Sequence, residues 1–389
     1  MIYANYAATS PALSPAVVRE LREYAGGTHL NAARNFEGLE AGAIALRARR
    51  AVAALFGADG PLNVVFTSGA TQSLNMAING LVRPGAHVLA TGVEHNAVAR
   101  PLELLRKSGA IQVDWLPCGA DGSLDAGTVG KAIKKNTRLL VMSHASNVLG
   151  TILPVAECFA AARERGIFTI LDAAQTGGVL PCTAALGADV TAFTGHKGLG
   201  ALAGIGGLVI GKTAAREMRP WLAGGTGSAS SSLDMPDFLP DKFEPGTQNT
   251  IGILSLAASV EEILHAGVEK IRERERALTM RFLSGLEELK NITVYGTGDA
   301  SRSVALVSLV VQGYDATDTA RHLFENHGIV TRSGLHCAPL AHRTAGTYPG
   351  GTVRFSFGRG TTESAIDTML AALSAPGSLT KKPQDCYHD

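Results

Sequence analysis

Three short stretches of the sequence place polar or reactive side chains directly after apolar runs. VVFTSGATQS ends in hydroxyl groups and a glycine before a helical pattern, FTILDAAQTGG carries Asp172, and VTAFTGHKG carries Lys197. Hydroxyls and free backbone N–H groups at a helix start bind anions, although an ordinary helix cap has the same composition. A carboxylate at the end of a buried strand needs a partner, and an ion pair with arginine or lysine is the simpler alternative.

Lys197 lies in a run of glycines and small residues, where most lysines are not found. Desolvation in such a turn lowers the pKa of the amine and makes it nucleophilic. Because ligands of open α/β sheets bind at the carboxyl ends of strands, we expect the three stretches to face one crevice. Pyridoxal phosphate requires this set: a cradle for its phosphate, a carboxylate for its ring nitrogen and an amine for its aldehyde. These residues therefore predict a pyridoxal phosphate site.

The elements that must position these residues alternate along the chain. Short apolar runs at 62–69, 87–92, 137–146, 166–174, 188–196 and 204–211 predict strands, and helical patterns separate them. Such alternation is typical of a mainly parallel sheet within an α/β layer. A longer helical pattern over 251–289, with a break near Ala266–Gly267, leads into a second region, where strands flank the helix DATDTARHLFENHG.

The composition excludes several classes of protein. With 46% hydrophobic and 18% charged residues, 389 residues are long enough for a sizeable core and predict a soluble globular enzyme. A net charge of +1 argues against a nucleic-acid or membrane-surface binder, and no signal peptide or spanning segment is visible. The five cysteines are scattered, with no CxxC pair, which favours a reducing cytoplasm.

Several motifs agree in order and spacing with one known family. TSGATQSLN, EHNAVARPL, SNVLG, LDAAQTGG, FTGHKGLG and FEPGTQNTIGI resemble landmarks of the class V aminotransferase-like enzymes of pyridoxal phosphate fold type I. RSGLHCAPLAH and GTVRFSFG are similar to the cysteine desulfurase and selenocysteine lyase branch, and the resemblance runs from about Ile2 to Leu373. It implies an α/β fold with a large domain around a mainly parallel seven-stranded sheet, and a smaller α+β C-terminal domain. We expect the large domain at 15–255, the small domain at 1–14 and 256–375, and a flexible tail at 376–389.

The resemblance also implies a role for each matching residue. Lys197 would form the Schiff base, and Asp172 would pair with the pyridine nitrogen. His95 would stack on the ring and move protons. The remaining cofactor contacts would come from Gln175 at the phenolic oxygen, Ala70, Thr71, Thr194 and His196 at the phosphate, Asn147 near substrate and cofactor oxygen, and Thr247 at the phosphate of a partner subunit.

The same resemblance implies a substrate site and a reaction. Arg354 would bind the substrate carboxylate with its bidentate fork, Arg332 would line the same entrance, and Asn147 would lie nearby. Cys337 would accept sulfur from L-cysteine, which leaves L-alanine, and the persulfide would pass to a thiol acceptor such as a scaffold protein. The short separation of Cys337 and Arg354 indicates a compact loop, similar to that of the desulfurases with shielded persulfides, which often need an acceptor partner for rapid turnover. A homodimer is implied, and no metal.

For three of these residues, purely structural roles stay open at this point. His95 could be a structural histidine, Arg354 could pair with a core acid, and Cys337 could be a small buried hydrophobe. Other reactions with the same cofactor are selenocysteine lysis, β-elimination from another sulfur amino acid and, less favoured, transamination. Alanine production without a keto acid would separate a lyase from a transaminase.

Two further motifs and two departures bear on this interpretation. GGLVIGKT at 206–213 formally fits a nucleotide-binding loop, although its interior looks like a strand, and HCAPLAH offers His336, Cys337 and His342 as metal ligands without a fourth. The stretches NYAAT and THLNAARNFEG differ from the related pattern where it borders the substrate. They leave the substrate less defined than the cofactor.

Overall fold

A seven-stranded sheet forms the centre of the computed structural model, which describes residues 1–27 and 39–374. Numbered in chain order, its strands are β2 (Val64–Thr67), β3 (Ala86–Thr91), β4 (Ile111–Leu116), β5 (Thr137–Ser143), β6 (Phe168–Asp172), β7 (Val190–Thr194) and β8 (Gly206–Ile210). They lie in the order β2-β8-β7-β6-β5-β3-β4, and β8 alone runs antiparallel to its neighbours. The predicted α/β fold with a mainly parallel sheet is confirmed.

The six apolar runs named from the sequence form six of these strands. The seventh, β4, lies at the sheet edge, and between Ile111 and Leu116 its side chains are partly or fully exposed. An edge strand carries fewer apolar residues than a central parallel strand, so its sequence gives a weaker signal. GGLVIGKT forms β8 and the start of the next helix, as its strand-like interior indicated.

Helices cover both faces of this sheet. They are α1 (Pro15–Ala25), α2 (Leu39–Phe56), α3 (Ala70–Leu81), α4 (Asn96–Lys107), α5 (Gly127–Ala132), α6 (Val155–Arg163), α7 (Lys212–Glu217) and α8 (Thr250–Ala266). Alternate strand residues point to opposite faces, so Leu171 packs with α2, α6 and α8, whereas Ile170 packs with α3 and α4. Because both faces of this sheet are covered by apolar side chains, polar functional groups are expected at the ends of its strands.

The predicted break in the long helical pattern is confirmed. Helix α8 ends at Ala266 and α9 (Val268–Glu287) begins after Gly267, whose φ of 85° favours glycine. In the described ranges, no single helix is long and apolar enough to cross a membrane; only α8 and α9 taken together meet the length and composition criterion, and they are bent by 80°.

A second, four-stranded sheet follows in the C-terminal region. Its strands β9 (Ile292–Tyr295), β10 (Leu306–Val311), β12 (Arg332–Gly334) and β13 (Thr352–Ser356) lie in the order β12-β13-β10-β9, while β1 (Ile2–Tyr3) pairs in parallel with β11 (Ile329–Val330). The helices are α9, α10 (Ala316–His327), α11 (Pro339–Thr344) and α12 (Glu363–Ser374). The ring of Phe282 packs against those of Phe355 and Phe357, with centroids 5.0 and 5.3 Å apart, at the centre of this cluster.

The N-terminal residues pack against strand β13 of the C-terminal region. The Ala7 amide donates a hydrogen bond to the Ser356 hydroxyl at 2.9 Å, and Asn5 bridges to the same strand. The boundary predicted at 255 lies within α8, whose buried residues pack with the large sheet. We therefore propose that the boundary lies at Gly267. The stretch at 28–38 and the tail at 376–389 lie outside the described residues.

Candidate active site

A cavity of about 220 Å³ opens where β2, β5, β6 and β7 end. It is lined by nine of the ten residues predicted to hold the cofactor: Ala70, Thr71, His95, Asn147, Asp172, Gln175, Thr194, His196 and Lys197. The tenth, Thr247, lies exposed outside it, and the predicted substrate residues Arg332, Arg354 and Cys337 do not line it either. The three sequence stretches that suggested chemistry thus meet at one crevice; the role of each residue stays a prediction.

One wall of the cavity is the N-terminus of α3. The helix begins at Ala70 after Gly69, which has a φ of 147° and no side chain to cap the first amides. This φ requires glycine, although a Cβ atom there would lie at an ordinary contact distance of 3.4 Å from the Thr194 hydroxyl. Free N–H groups and the positive end of the helix dipole, together with that hydroxyl, suit a phosphate.

Lys197 lies in the tight turn between β7 and β8. The turn packs so closely that a Cβ atom at Gly198 would lie 2.6 Å from the Gly177 carbonyl oxygen and one at Gly195 2.8 Å from Ile205. Small residues therefore surround the lysine because larger ones do not fit. Burial lowers the pKa of the Lys197 amine to about 8, and nearby arginines act in the same direction, against the charge of Asp172.

Asp172 ends β6, with 6% of its surface exposed. The Ala174 amide donates to its Oδ1 atom at 2.9 Å. Burial raises the pKa of the carboxyl group, and the positive charge of Lys197 opposes the shift only in part. A buried acid with so little compensation fits a cationic N–H partner within the cavity.

His95 caps helix α4. Its Nδ1 atom accepts a hydrogen bond from the Ala97 amide at 3.0 Å, which leaves the ring proton on Nε2. Burial, followed by the charges of Lys197 and Arg332, lowers the pKa of His95 to about 4. The ring is therefore neutral near pH 7. His95 is therefore a structural helix cap, and the same hydrogen bond fixes its ring in the wall of the cavity.

The N-terminal stretch NYAATS closes another side of the site. The Gln175 amide donates to the Ala7 carbonyl at 3.1 Å, and the Nδ1 atom of His196 lies 3.1 Å from the Thr9 hydroxyl. The Ser10 amide also donates to the His196 carbonyl at 2.7 Å. The altered sequence of this stretch therefore acts directly on residues of the site.

Arg354 is buried, with 1% of its surface exposed, and its polar atoms are incompletely paired. Its Nη1 donates to the Asn147 carbonyl at 2.8 Å and its Nη2 to the Asn5 side chain at 3.3 Å, while Nε has no hydrogen-bond partner. No ion pair of Arg354 occurs among residues 1–27 and 39–374. Burial lowers its pKa to about 9. The core acid that the simpler interpretation required is not in this part of the chain, and a carboxylate ligand would match the free donor.

Cys337 is the exposed residue of a short loop between β12 and α11, in which its neighbours His336 and Ala338 are buried. His336 and Cys337 both have positive φ values, 48° and 58°, which cost energy in residues other than glycine. The loop is held because the Asn96 amide donates to the Cys337 carbonyl at 2.8 Å and the Asn147 side chain to the His336 carbonyl at 2.7 Å. The Arg332 guanidinium lies 3.5 Å from the Cys337 sulfur. The compact loop predicted from the sequence is present, but the Cys337 thiol is exposed, whereas the resemblance implied a shielded sulfur.

Sequence reasoning missed two buried acids that support the site. Glu94 accepts hydrogen bonds from the Thr91 hydroxyl at 2.5 Å and from the amide and hydroxyl of Ser143 at 2.9 and 2.7 Å. Burial raises the pKa of Glu94 to about 7. Ser143 lines the cavity and His95 follows Glu94, so this acid fixes two of its walls. An acid between a buried strand and a helix start was the available signal.

Glu244 fastens the FEPGTQN segment to the large sheet. Its carboxylate forms an ion pair with Arg49 at 2.5 Å and accepts from the Phe66 amide at 2.6 Å, and both charged side chains are buried. Phe66 belongs to β2, the strand that leads into the anion cradle. Thr247 follows three residues later. It is exposed to solvent and does not line the cavity.

The chain belongs to the aminotransferase class-V family, whose model matches residues 2–369. A relative from Methanothermobacter thermautotrophicus described as a probable cysteine desulfurase is 32% identical over 91% of this chain and 89% of its own length. The apo cysteine desulfurase of Thermococcus onnurineus NA1 has a TM-score of 0.90 at 31% identity, covering 96% of this chain and 94% of that one. The cysteine desulfurase CsdA of Escherichia coli, in an S-sulfonic acid form, has a TM-score of 0.86 at 27% identity, covering 95% and 93%.

Proposed function

We propose that this chain is a pyridoxal phosphate-dependent cysteine desulfurase that converts L-cysteine to L-alanine. The observation that carries the proposal is the placement of Lys197, Asp172 and the α3 N-terminus around one cavity, with the exposed Cys337 thiol held on the adjacent loop. Relatives described as cysteine desulfurases match nearly the whole chain and favour this reaction over selenocysteine lysis, β-elimination or transamination.

The residues of the cavity fit pyridoxal phosphate. Asp172 supplies a buried, poorly compensated carboxyl group, and the glycine at position 69 leaves the first amides of α3 open to a phosphate. Lys197 supplies an amine whose pKa of about 8 leaves part of it uncharged near neutral pH. When bound, the cofactor supplies an electron sink that makes the hydrogen on the substrate α-carbon acidic.

The protein's own groups do the binding and move the protons. Arg354 binds the substrate carboxylate through its free Nε donor, and its burial keeps water from competing. Lys197 takes and returns a proton at its Nζ atom. The neutral His95 ring holds its position through its cap on α4. The exposed Cys337 thiol attacks the substrate sulfur, and the Arg332 guanidinium lies 3.5 Å from the Cys337 sulfur.

The remaining expectations concern partners and compartment. The persulfide on Cys337 passes to a thiol acceptor, which the exposure of this thiol permits. The exposed position of Thr247 supports a homodimer in which this hydroxyl reaches the partner's phosphate. Cys118, Cys158, Cys182 and Cys337 are all free thiols in the described part, which supports a cytoplasmic, reducing location.

The first experiment incubates the purified protein, loaded with cofactor, with L-cysteine, L-selenocysteine or L-cystine in parallel. Alanine, pyruvate, sulfide or selenide, and persulfide on Cys337 are quantified by mass spectrometry and colorimetry. The proposal expects alanine together with a Cys337 persulfide from L-cysteine. Alanine from selenocysteine alone, or pyruvate as the main product, would replace it with one of the other reactions.

A further inference from the structure

A second cavity adjoins the candidate site and shares Lys197 and Gln175 with it. We call it the lysine cavity; its other polar walls are Tyr6, Ser10, Glu275, Ser356 and Arg359. Its volume of about 40 Å³ has room for roughly three water molecules, at 10–15 Å³ for each. Lys197 therefore borders two polar cavities: the one proposed to hold the cofactor and the lysine cavity.

Glu275 brings an acid to this cavity from helix α9. It lies on the same helix face as Leu278, Phe282 and Leu286, and only 6% of its surface is exposed. Within the described part of the chain, no group hydrogen-bonds or ion-pairs with its carboxylate. A buried carboxyl group that faces a cavity of this size binds water there, because leaving it without a partner costs several kcal/mol.

The groups facing Glu275 are three arginines and one tyrosine. Arg272 and Arg274 come from its own helix, Arg359 from the segment after β13, and Tyr6 from the N-terminal stretch. Burial raises the pKa of Glu275 to about 7, and the arginine charges oppose the shift without cancelling it. Near neutral pH this acid therefore exchanges its proton readily.

Arg359 links Glu275 to the turn that carries the lysine. Its Nη2 atom donates to the carbonyl oxygens of Gly198 and Leu199 at 3.0 and 2.9 Å, directly after Lys197 in the chain. The same guanidinium is the charge that most favours the ionised form of Glu275.

We propose that the lysine cavity is a proton-exchange site for Lys197, in which water connects its Nζ atom to the Glu275 carboxyl group. The inference rests on the proposed function, because desulfuration turns a CH₂–S group into CH₃ and a carbon must receive a proton. When the Lys197 ammonium group gives its proton to carbon, a cavity water restores it. The Glu275 acid protonates that water and becomes a carboxylate, and solvent later returns its proton. Only N–H and O–H bonds break and form in this exchange, and no electrons are transferred.

The test compares Glu275→Gln with Glu262→Gln in the cofactor-loaded protein. Glutamine keeps the shape of Glu275 but carries no exchangeable carboxyl proton. Glu262 is the matched control, because it also interacts with Arg359 but does not line the lysine cavity. Each variant is given L-alanine in D₂O, and loss of the α-hydrogen to solvent is followed by NMR at equal occupancy of the site. We expect exchange to slow by roughly 10-fold or more in Glu275→Gln and to stay unchanged in Glu262→Gln.

A spectroscopic readout separates proton exchange from a structural effect. Glu94 also has a pKa of about 7, so infrared difference spectra between acid and alkaline pH should contain two carboxyl bands with midpoints near 7 in the wild type and in Glu262→Gln. Glu275→Gln should lose one of these bands and keep the other. Equal exchange in all three proteins, or the same carboxyl bands in all three, would overturn the inference. If cysteine gave no alanine while L-alanine still exchanged in the expected order, the proposed function would fail and the proton site would stand.

Discussion

Replacement of Asp172 by asparagine separates two effects of one buried charge. In the protein without cofactor, burial raises the pKa of this carboxyl group, so its ionised form costs stability. Because the folded state binds this proton more tightly than the unfolded state, the free energy of unfolding falls as pH rises from about 4 through the folded-state pKa of Asp172. Asparagine removes the charge and keeps the shape. We therefore expect the cofactor-free variant to be at least as stable as the wild type at pH 8.

The same change should weaken cofactor binding. A hydrogen bond to a charged group contributes about 1.5–3 kcal/mol, which corresponds to a loss of roughly 10- to 150-fold in affinity for pyridoxal phosphate. Among the described residues, only the Ala174 amide donates to this carboxylate, and a neutral asparagine cannot replace its charge opposite the ring nitrogen. The ring nitrogen would also lose its proton, and turnover should fall more steeply than binding.

Two titrations of the Asp172→Asn protein check this reasoning. Urea unfolding of the cofactor-free protein at pH 5 and pH 8 gives the stability difference, and absorbance on addition of pyridoxal phosphate gives the affinity. Unchanged affinity would refute the assignment of Asp172 to the ring nitrogen. A cofactor-free variant clearly less stable than the wild type at pH 8 would refute the view that this charge is uncompensated.

Three further variants test other parts of the site. Lys197→Ala should abolish the visible absorption of the bound cofactor and all turnover, as measured by spectroscopy and alanine release; full residual activity would contradict the cofactor assignment. Cys337→Ala should keep that absorption but lose cysteine desulfuration, and persistent alanine formation at the wild-type rate would exclude a role in sulfur transfer. Glu244→Gln leaves Arg49 buried without its charge partner and should lower the free energy of unfolding by about 3–5 kcal/mol in urea titration. Glu217→Gln, which breaks an exposed pair, is its control and should cost at most about 1 kcal/mol.

Much of the fold and the lining of the site follow from local patterns. Buried parallel strands have continuous apolar sequences, and Asp172 and Thr194 interrupt those runs where the strands end. Strand ends in an open sheet meet at one edge, so these residues, with Lys197, were predictable neighbours. The break at Gly267 was visible because glycine accepts a φ that other residues avoid.

The supporting groups were hidden because their partners are distant in sequence. Arg359 holds carbonyls about 160 residues away, and Glu244 bonds to Phe66 across 178 residues. Glu275 lies in the charged run EKIRERERAL, which indicates a solvated helix face when taken alone. Its three- and seven-residue spacing from Leu278 and Phe282 was the one sign that it faces inward.

The pairing of β1 with β11 limits when the N-terminal stretch can fold during translation. Ile2 lies beside Ile329, so the first strand leaves the ribosome roughly 15–65 s before its partner, at elongation rates of 5–20 residues per second. During that interval Tyr6 and Ala7 cannot take their places beside Lys197, since Ser356 and Gly358 of their packing surface are not yet made. The nascent chain therefore completes this side of the candidate site only after Gly358 has been made, and a chain interrupted earlier carries an unpaired strand that chaperones and proteases can recognise.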